Sequence, residues 1–425
     1  MRLMCRKLRT DVTPERALAA LGVRARALRL APPAALCGDW FSSRAVIALS
    51  ASLTPVRDVA EAFAVPTRLP RVRDAVPGAV GGGWFGYLGY DLTDPSGRSG
   101  SLPPAAWGWV DRVLRLDADG SWWFEALLPD DDPDPADEVS ELETTLADPP
   151  ETAPWSSGPL SRPLPSEHYD VVKACVHAIE AGELFQANIC ARFTGEFDGD
   201  PLSLFAEGVH RLRARRSAFL AGDWGSVVSF SPELFLARHG QRVRSTPIKG
   251  TLPRRNASDE HLARRLREST KDVAENVMIT DLVRNDLGRV CATGSVRVPE
   301  LLKVRPAPGV WHLESTVEGL LAEGIDDAEL LAATFPPGSV TGAPKIRALD
   351  LIAELEPTGR GVYTGAIGLA SPIAGLELNV AIRTFEIHEG TIALGVGGGI
   401  TADSDSEAEW QECLHKSAPL ERLLG

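Results

Sequence analysis

Cysteine and net positive charge are both scarce in this sequence. Its 425 residues include six cysteines, none of them in a CxxC pair, so we expect neither a zinc site nor a disulfide framework. The widely spaced residues, expected to be reduced thiols, are Cys5, Cys37, Cys175, Cys190, Cys291 and Cys413. A formal net charge of −14 argues against a nucleic-acid partner and against an anionic membrane surface. An anionic ligand would therefore need a local cluster of cations.

Long apolar runs are missing as well. The basic N-terminus, MRLMCRKLRTDV, is not followed by the apolar core of a signal peptide, and no apolar run approaches the length of a membrane span. A phosphate-binding loop of the GxxxxGK[ST] type is also absent. These absences predict a cytoplasmic protein with no membrane partner.

One segment, residues 128–168, interrupts the apolar periodicity with proline, acidic and small residues, which predicts a loose connection. We therefore expect a boundary near residue 160, between an N-terminal region, 1–160, and a C-terminal domain, 161–425. In the C-terminal part, helical patterns such as SEHYDVVKACVHAIEAGE are mixed with strand-like runs such as TIALGVGGG. Because strands outnumber crossover helices locally, an α+β fold with antiparallel sheets is favoured over a doubly wound one.

Two acidic pairs stand out for their spacing. Asp272 and Glu275 are three residues apart, as are Glu409 and Glu412, so on helices each pair projects from one face. If the two faces meet, they form an oxygen-rich site suited to a hard ion such as Mg²⁺. The alternative is two solvated helix faces, because exposed charge is the usual state of such residues.

A lysine at the centre of STPIKGTLPR has three possible roles. Lys249 lies between a strand-like run and Gly250, with Pro247 and Pro253 on either side. It could be a solvated turn residue, a charge that holds an anionic substrate, or an amine that attacks carbon. The residues of this segment by themselves leave all three open.

Two glycine-rich segments could aim backbone amides at an anion. GVGGGITADS, at 395–404, follows a strand-like run, and FPPGSVTGAPKIRALDLIAEL, at 335–355, places Gly342 and Pro344 at the start of a predicted helix. Plain tight turns are the alternative, because permissive backbone angles are what glycine most often supplies.

Taken together, these segments resemble the chorismate-utilising enzymes. The motifs that carry the likeness follow the family's order over residues 165–425: FSPELF, PIKGTLPR, AENVMITDLVRNDLGRV, FPPGSVTGAPK, GVYTGAIG, AIRT and GGGITADSDSEAEWQECLHK. GGGWFGYLGYD, at 81–91, is similar to a glycine–tyrosine segment of the aminating members. The resemblance implies two facing antiparallel β-sheets flanked by helices, with the active site between the sheets. It also makes residues 161–425 the catalytic, chorismate-binding domain.

The resemblance implies how such a cleft would bind an anionic substrate. Glu275 and Glu412 would bind Mg²⁺, with Asp272 and Glu409 beside them, and the ion would hold the ring carboxylate of chorismate. The implied substrate-binding residues are Gln186, Thr341, Tyr363, Arg383, Gly397, Gly398 and Lys416. An acidic protein can bind a dianion in this way because its cations are concentrated in the cleft.

Two further residues match catalytic positions of the family. Glu233 matches the general acid that protonates the departing C4 hydroxyl, and an acid is needed there because hydroxide leaves poorly unless it is protonated. His312 matches a histidine near the reacting ring. From its neighbours Trp311 and Leu313 alone, a buried structural histidine is the more common situation.

Two positions distinguish members of this family. The water-adding members have a lysine where FQANICAR has Gln186, and an amide cannot serve as a base. Anthranilate synthases usually read PIAGT, whereas Lys249 in PIKGT resembles the aminodeoxychorismate synthases. The resemblance then implies that the Lys249 amine attacks C2 while the C4 hydroxyl leaves, and that ammonia next attacks C4. Such an amine must be neutral, so we expect a lowered pKa at Lys249. A lysine that only pairs electrostatically with the substrate is the alternative.

The aminating members normally receive ammonia from a glutamine amidotransferase. None of the six cysteines lies in a glycine-rich nucleophile elbow, so we expect a separate glutaminase subunit as partner. Two alternatives remain open. One is an anthranilate or aminodeoxyisochorismate synthase, which would place the amine at C2, and the other is a non-catalytic chorismate-binding subunit.

Overall fold

The computed structural model describes residues 1–254 and 257–425. These residues form ten α-helices and 22 β-strands. The helices are α1 Pro14–Leu28, α2 Val59–Ala64, α3 Ala136–Ala147, α4 Pro165–Glu180, α5 Pro201–Leu212, α6 Glu260–Glu268, α7 Thr270–Gly288, α8 Asp327–Thr334, α9 Lys345–Leu355 and α10 Ser406–Leu424.

The strands run from one end of the chain to the other. They are β1 Arg2–Lys7, β2 Ala34–Trp40, β3 Ser43–Ala48, β4 Thr54–Val56, β5 Gly83–Leu88, β6 Ala105–Val110, β7 Arg112–Asp117, β8 Trp122–Leu128, β9 Trp155–Ser157, β10 Gln186–Gly199, β11 Arg216–Gly222, β12 Gly225–Ser231, β13 Leu234–His239, β14 Arg242–Thr246, β15 Ile248–Pro253, β16 Arg297–Ala307, β17 Val310–Leu320, β18 Gly342–Ala343, β19 Ala366–Ser371, β20 Gly375–Val380, β21 Thr384–His388 and β22 Thr391–Ile400.

The strands assemble into two sheets. The 12-stranded sheet has the order β1-β8-β7-β3-β2-β11-β12-β21-β22-β10-β18, with β9 also paired to β10. The ten-stranded sheet has the order β15-β17-β14-β13-β20-β19-β5-β6-β4, with β16 also paired to β17. Ladders join both central and edge strands in antiparallel register, as in β10 with β22 and β15 with β17.

The two sheets pack face to face, and helices cover their outer faces. One apolar cluster joins Leu36 and Trp40 of the larger sheet to Phe85, Tyr87 and Ile367 of the smaller one. Two other clusters pack α1, α5 and α10 onto the larger sheet and α7 and α8 onto the smaller one. This arrangement confirms the expected α+β fold of two facing antiparallel sheets flanked by helices.

Strands from both sides of residue 160 share both sheets. In the larger sheet β2 pairs with β11, and in the smaller sheet β5 pairs with β19. The core between the sheets is therefore built jointly by the N-terminal and C-terminal parts of the chain.

The prediction of a loose connection over residues 128–168 was wrong in part. The segment contains α3, whose Leu142 and Leu146 are buried against the main core, and β9, which pairs with β10. Acidic and other polar residues dominate the composition of α3. The helical spacing of Val139, Leu142 and Leu146 is therefore not evident from composition alone.

Capping residues in the local sequence determine where several helices begin. The side chain of Ser269 accepts a hydrogen bond from the amide of Asp272 at the start of α7, and Asp405 accepts from Ala408 at the start of α10. Pro344 precedes α9 as its N-cap, in agreement with the predicted helix start. No helix in the described part of the chain is both long and apolar enough to cross a bilayer.

Candidate active site

Lys249 lies on β15 and extends to the glycine-rich end of β22. Its Nζ atom is 3.2 Å from the point where a Cβ on Gly399 would stand, and the same Cβ would overlap the amide nitrogen of Gln186. Because Gly399 has no side chain, Lys249 and Gln186 can approach each other beside it. The structure brings these two predicted residues together across two different sheets.

The glycine that follows Lys249 also has a spatial role. Gly250 has a φ of +91°, and a Cβ there would lie 3.0 Å from both Cβ and Oδ1 of Asp272. A side chain at this position would be strained and would push against the first turn of α7. Gly250 therefore allows β15, with Lys249 on it, to pack closely against the helix that carries Asp272 and Glu275.

The surroundings of Lys249 favour the neutral amine. Burial lowers the pKa of Lys249 and the nearby Lys416 acts in the same direction, while Glu275, Glu233 and Glu412 oppose them. The net shift is downward, as expected for an amine that acts as a nucleophile.

Glu233 lies in the connection between β12 and β13 and is 3% exposed. Burial raises the pKa of its carboxyl group to about 7, against the opposing effects of a hydrogen bond from Ser339, the amide of Ile248 and the charge of Lys249. The Ile248 amide donates to Oε1 at 3.4 Å. A carboxylic acid with this pKa carries a proton in a large fraction of molecules at neutral pH, as a general acid requires.

His312 lies on β17 with one ring nitrogen bonded and the other without a partner. Its Nδ1 is 2.9 Å from the hydroxyl of Thr251, while the buried Nε2 has no hydrogen-bond partner among the described residues. Burial, followed by the charges of Arg383 and Arg215, lowers the pKa of His312 to about 3. The ring is therefore neutral, and its free nitrogen makes it more than a satisfied core residue.

Arg383 and Tyr363 lie beside other candidate residues of the site. Burial, followed by the charge of Arg383, lowers the pKa of His312, and Arg383 is itself acted on by the charge of Glu233. The ring of Tyr363 packs on Gly395, where any Cβ would overlap it. Thr341 is fully buried, and its hydroxyl donates to the carbonyls of Pro337 and Gly338, both at 3.2 Å.

The glycine-rich end of β22 has one open edge. The pairing of β21 with β22 reaches only Leu394, whereas β10 continues alongside as far as Ile400. Backbone groups on the β21 side of Gly397 and Gly398 are thus not used in that ladder. This edge of the glycine-rich segment is therefore not covered by β21.

The acidic pair of α10 lies at Gly398, and the charge of its Glu412 acts on Glu275 of α7. A Cβ on this glycine would lie 3.0 Å from Oε2 of Glu409 and 3.6 Å from Oε1 of Glu412. Lys271 of α7 bonds Oε1 of Glu409 at 3.1 Å, which ties α7 to α10. Glu409 is only 2% exposed, and Asp272, Glu275 and Glu412 are half-buried, so the α10 pair is not a fully solvated face.

The pKa values of Glu275 and Glu412 are shifted in opposite directions. Burial raises the pKa of Glu275, with Lys249 and Lys271 opposing the shift. Burial also acts on Glu412, but Lys416, at 2.7 Å from Oε1, outweighs it and lowers the pKa. The same lysine donates to the carbonyl of Gly397 at 2.8 Å, so it bridges α10 and β22.

The donor set at this point fits a hard cation. Oε2 of Glu409 is buried without a hydrogen-bond partner among the described residues, which leaves a carboxylate oxygen aimed into the cleft. Glutamate and aspartate oxygens are the ligands that Mg²⁺ prefers. In residues 1–254 and 257–425, no three His, Cys, Asp or Glu side chains are already grouped as ligands, and Lys271 and Lys416 bond two of the carboxylates.

Three residues of the cleft were not singled out from the sequence. Ser339 bonds the general-acid candidate, Lys271 bonds Glu409, and Gly399 makes room for Lys249. All three lie within or next to the quoted motifs, so motif membership is the signal that could have found them.

Comparison with known proteins agrees with this geometry. The sequence matches the family described as chorismate binding enzyme over residues 40–422. The chain belongs to this family. The aminodeoxychorismate synthase component 1 of Salmonella typhimurium is 39% identical over 79% of this chain and 75% of its own length. The Escherichia coli protein of the same name is 42% identical over 62% of this chain, and the match spans 58% of its length.

A solved structure of the family has the same fold. Anthranilate synthase component I from Streptococcus pneumoniae superposes with a TM-score of 0.74 at 28% identity, covering 86% of this chain and 85% of that one. All six cysteines are free thiols, as predicted.

Proposed function

We propose that this chain converts chorismate and ammonia to 4-amino-4-deoxychorismate. The observation that carries the proposal is one cleft in which burial lowers the pKa of a lysine and raises that of a carboxylic acid to about 7. Relatives named aminodeoxychorismate synthase component 1 support the same assignment. Gln186, which cannot act as a base, disfavours addition of water.

In the first step the neutral amine of Lys249 attacks C2. The C2–N bond forms, the two ring double bonds shift, and the C4–O bond breaks. Glu233 donates its proton to the departing hydroxide, which leaves as water. The ring is then held covalently by Lys249.

In the second step ammonia attacks C4 and the C2–N bond to Lys249 breaks. The double bonds shift back, and the proton that the new ammonium group loses returns to the carboxylate of Glu233. Two successive displacements retain the configuration at C4. The neutral ring of His312 has a free nitrogen beside this reaction and can accept or donate a hydrogen bond without changing the charge.

The anionic groups of the substrate need cations and amides. Glu275 and Glu412, with Asp272 and Glu409 beside them, would hold Mg²⁺, which when bound neutralises and orients the ring carboxylate. Arg383, Lys416, Tyr363 and the amides of Gly397 and Gly398 would bind the enolpyruvyl arm and its carboxylate. Gln186 and Thr341 complete the wall of the cleft.

Ammonia is proposed to come from a separate glutamine amidotransferase subunit in the cytoplasm. Relatives named as component 1 support a partner subunit, and free thiols are typical of a reducing compartment. The product would serve p-aminobenzoate formation, for folate or for specialised metabolites.

Product identification tests the proposal. The chain is incubated with chorismate, Mg²⁺ and ammonium salt, and the product is analysed by mass spectrometry and NMR. We expect the amine at C4. An amine at C2 would assign the chain to the anthranilate or aminodeoxyisochorismate synthases, and no turnover by folded protein would favour a non-catalytic chorismate-binding subunit.

A further inference from the structure

A buried guanidinium lies behind the substrate-binding residues without belonging to them. Arg360 is 4% exposed and donates all five of its N–H groups. Its Nε and Nη2 bond the two carboxylate oxygens of Glu356 at 2.9 and 2.6 Å. Nη2 also bonds the carbonyl of Asn188 at 2.6 Å, and Nη1 bonds the Val340 carbonyl at 3.0 Å and the Thr364 hydroxyl at 3.3 Å.

Three of these four acceptor residues lie within two positions of a candidate substrate-binding residue. Val340 precedes Thr341, and Thr364 follows Tyr363. Asn188 follows Gln186 by two residues on β10. One side chain therefore joins three segments that are far apart in sequence and that each contribute a wall of the cleft.

A tyrosine of the N-terminal segment GGGWFGYLGYD packs against this guanidinium. The ring of Tyr90 lies under Arg360, with its centroid 4.5 Å from the guanidinium carbon. The hydroxyl of Tyr90 is buried and has no hydrogen-bond partner in the described part of the chain. The contact therefore uses the ring face, as in a cation–π interaction, rather than the polar end of the side chain.

The neighbouring acid holds the next residue of the same loop. Oδ1 of Asp91 accepts a hydrogen bond from the amide of Gly361 at 2.9 Å, and Oδ2 accepts from the amide of Gly100. Glu386 accepts from the amides of Val362 and Tyr363 at 3.0 and 3.3 Å. The loop that carries Tyr363 is thus held from the N-terminal segment on one side and from β21 on the other.

We propose that Arg360, supported by the ring of Tyr90, is a positioning residue that sets the spacing of Thr341, Tyr363 and β10 around the substrate. It touches no substrate itself. The inference rests on the proposed function, because the cleft that it shapes is the chorismate site. It gives the N-terminal glycine–tyrosine segment a role in binding at a site built mainly by the C-terminal part of the chain.

Two substitutions at Tyr90 form a matched test. Tyr90→Phe keeps the ring and removes only the unpartnered hydroxyl, so chorismate affinity and turnover should stay within about twofold of wild type. Tyr90→Leu removes the ring face while keeping an apolar side chain, and we expect the Kd and KM for chorismate to rise about tenfold, with a smaller loss in kcat. Isothermal titration calorimetry gives Kd, and steady-state assays with ammonium salt give KM and kcat.

A substitution at Arg360 tests the five-donor geometry. Arg360→Lys keeps the charge but has three donors on a single nitrogen atom. These donors cannot reach the hydrogen-bond acceptors in all three segments at once. We expect kcat/KM for chorismate to fall about a hundredfold, with both KM and kcat affected. Far-UV circular dichroism and thermal unfolding report whether the variant is folded. If it is not folded, the comparison of Tyr90→Phe with Tyr90→Leu tests the inference.

The outcomes separate the inference from the proposed function. Folded Tyr90→Leu protein with wild-type Kd and KM, changed only in its melting temperature, would show a purely structural role and overturn the inference. Equal losses in Tyr90→Phe and Tyr90→Leu would also overturn it, since the hydroxyl would then matter. Wild-type protein that neither binds chorismate nor forms the C4 amine would instead refute the proposed function.

Discussion

In the proposed reaction, Lys249 and Glu233 have opposite requirements at the same pH, since one must lose its proton to attack and the other must keep its proton to donate. Burial shifts both pKa values in the required direction, because a low-polarity environment disfavours whichever form is charged. The direct charge interaction between the two groups opposes each shift. That both shifts persist shows that desolvation outweighs the attraction in this cleft.

The nucleophilic role of Lys249 predicts a covalent adduct. Chorismate supplied with Mg²⁺ but without ammonia should leave part of the protein heavier by one chorismate less one water, on the peptide that contains STPIKGTLPR. Mass spectrometry after rapid denaturation measures it, and ammonia should discharge it. Lys249→Ala should abolish the adduct and sharply reduce 4-amino-4-deoxychorismate formation.

Lys249→Arg is the matched control for charge alone. A guanidinium stays protonated and cannot act as the nucleophile, so this variant should also be inactive. Substantial rescue by arginine would identify Lys249 as an electrostatic binding residue instead.

The raised pKa of Glu233 predicts a stability effect with a defined sign. Its pKa is about 7 in the folded chain against 4.5 ordinarily, so the folded state binds this proton more tightly and loses stability as pH rises from about 4.5 to 7. Glu233→Gln mimics the protonated form. It should abolish turnover yet stabilise the protein by up to about 3 kcal/mol at pH 8.5 relative to its effect at pH 4.

Urea unfolding of both proteins at the two pH values measures the difference. A constant difference between variant and wild type across this range would contradict the raised pKa.

At the scale of single elements, β22 and two helices shape the cleft. The strand turns successive glycines toward different groups: Gly398 toward Glu409 and Glu412, and Gly399 toward Gln186 and Lys249. A strand with ordinary side chains at these positions would fill the space that the substrate needs.

Gly399→Ala tests the need for that space. The added Cβ would overlap Gln186 and come within 3.2 Å of Lys249, so we expect at least a tenfold loss of kcat/KM with the fold retained. Gly288→Ala, near the end of α7, is the control, because a Cβ there meets nothing within 4 Å. It should keep full activity and, as a helix residue, gain up to about 1 kcal/mol of stability. Equal activity of the two variants would show that Gly399 is not part of the cleft.

The meeting of α7 and α10 predicts a metal requirement. EDTA should abolish turnover and Mg²⁺ should restore it. Glu412→Gln should weaken binding of Mg²⁺ and of chorismate together, measured by calorimetry, because the ion links them. Glu407→Gln, an exposed position on the same helix, should leave both affinities unchanged. Full turnover in metal-free buffer would refute the site.

At the scale of the whole molecule, each of the two sheets contains strands from both the N-terminal and the C-terminal part of the chain. The N-terminal part supplies neighbours for strands of the C-terminal part, as in the pairing of β2 with β11 and of β5 with β19. The catalytic groups come from the larger sheet, the smaller sheet and the covering helices. A change in the packing of either sheet would therefore alter their spacing.

The proposed nitrogen source gives a prediction for the intact chain. Isolated protein should use ammonium salts at alkaline pH, where free ammonia is available, and should not use glutamine until a glutaminase subunit is added. Assays with each nitrogen source, with and without such a subunit, measure this. Glutamine-dependent turnover by the purified chain alone would contradict the need for a partner.

Much of the cleft could be predicted from the sequence because its residues lie in short motifs. PIKGT identified Lys249, the SPE segment identified Glu233, and the i, i+3 spacing placed each acidic pair on one helix face. A helical pattern and a strand-like run also identified α4 and β22. In contrast, α3 was missed, because its two buried leucines and half-buried Val139 are outnumbered by acidic neighbours.

The sequence by itself determined which chemical groups are present and which motifs and helix faces carry them. Only the tertiary structure decided that Gly399 faces Lys249, that Glu409 has an unbonded buried oxygen, and that Arg360 joins three walls of the cleft. The physical reason is that pKa shifts, buried hydrogen bonds and close approaches depend on which distant segments share one water-poor space. Motifs are local along the chain, whereas that space is formed only when the two sheets pack together.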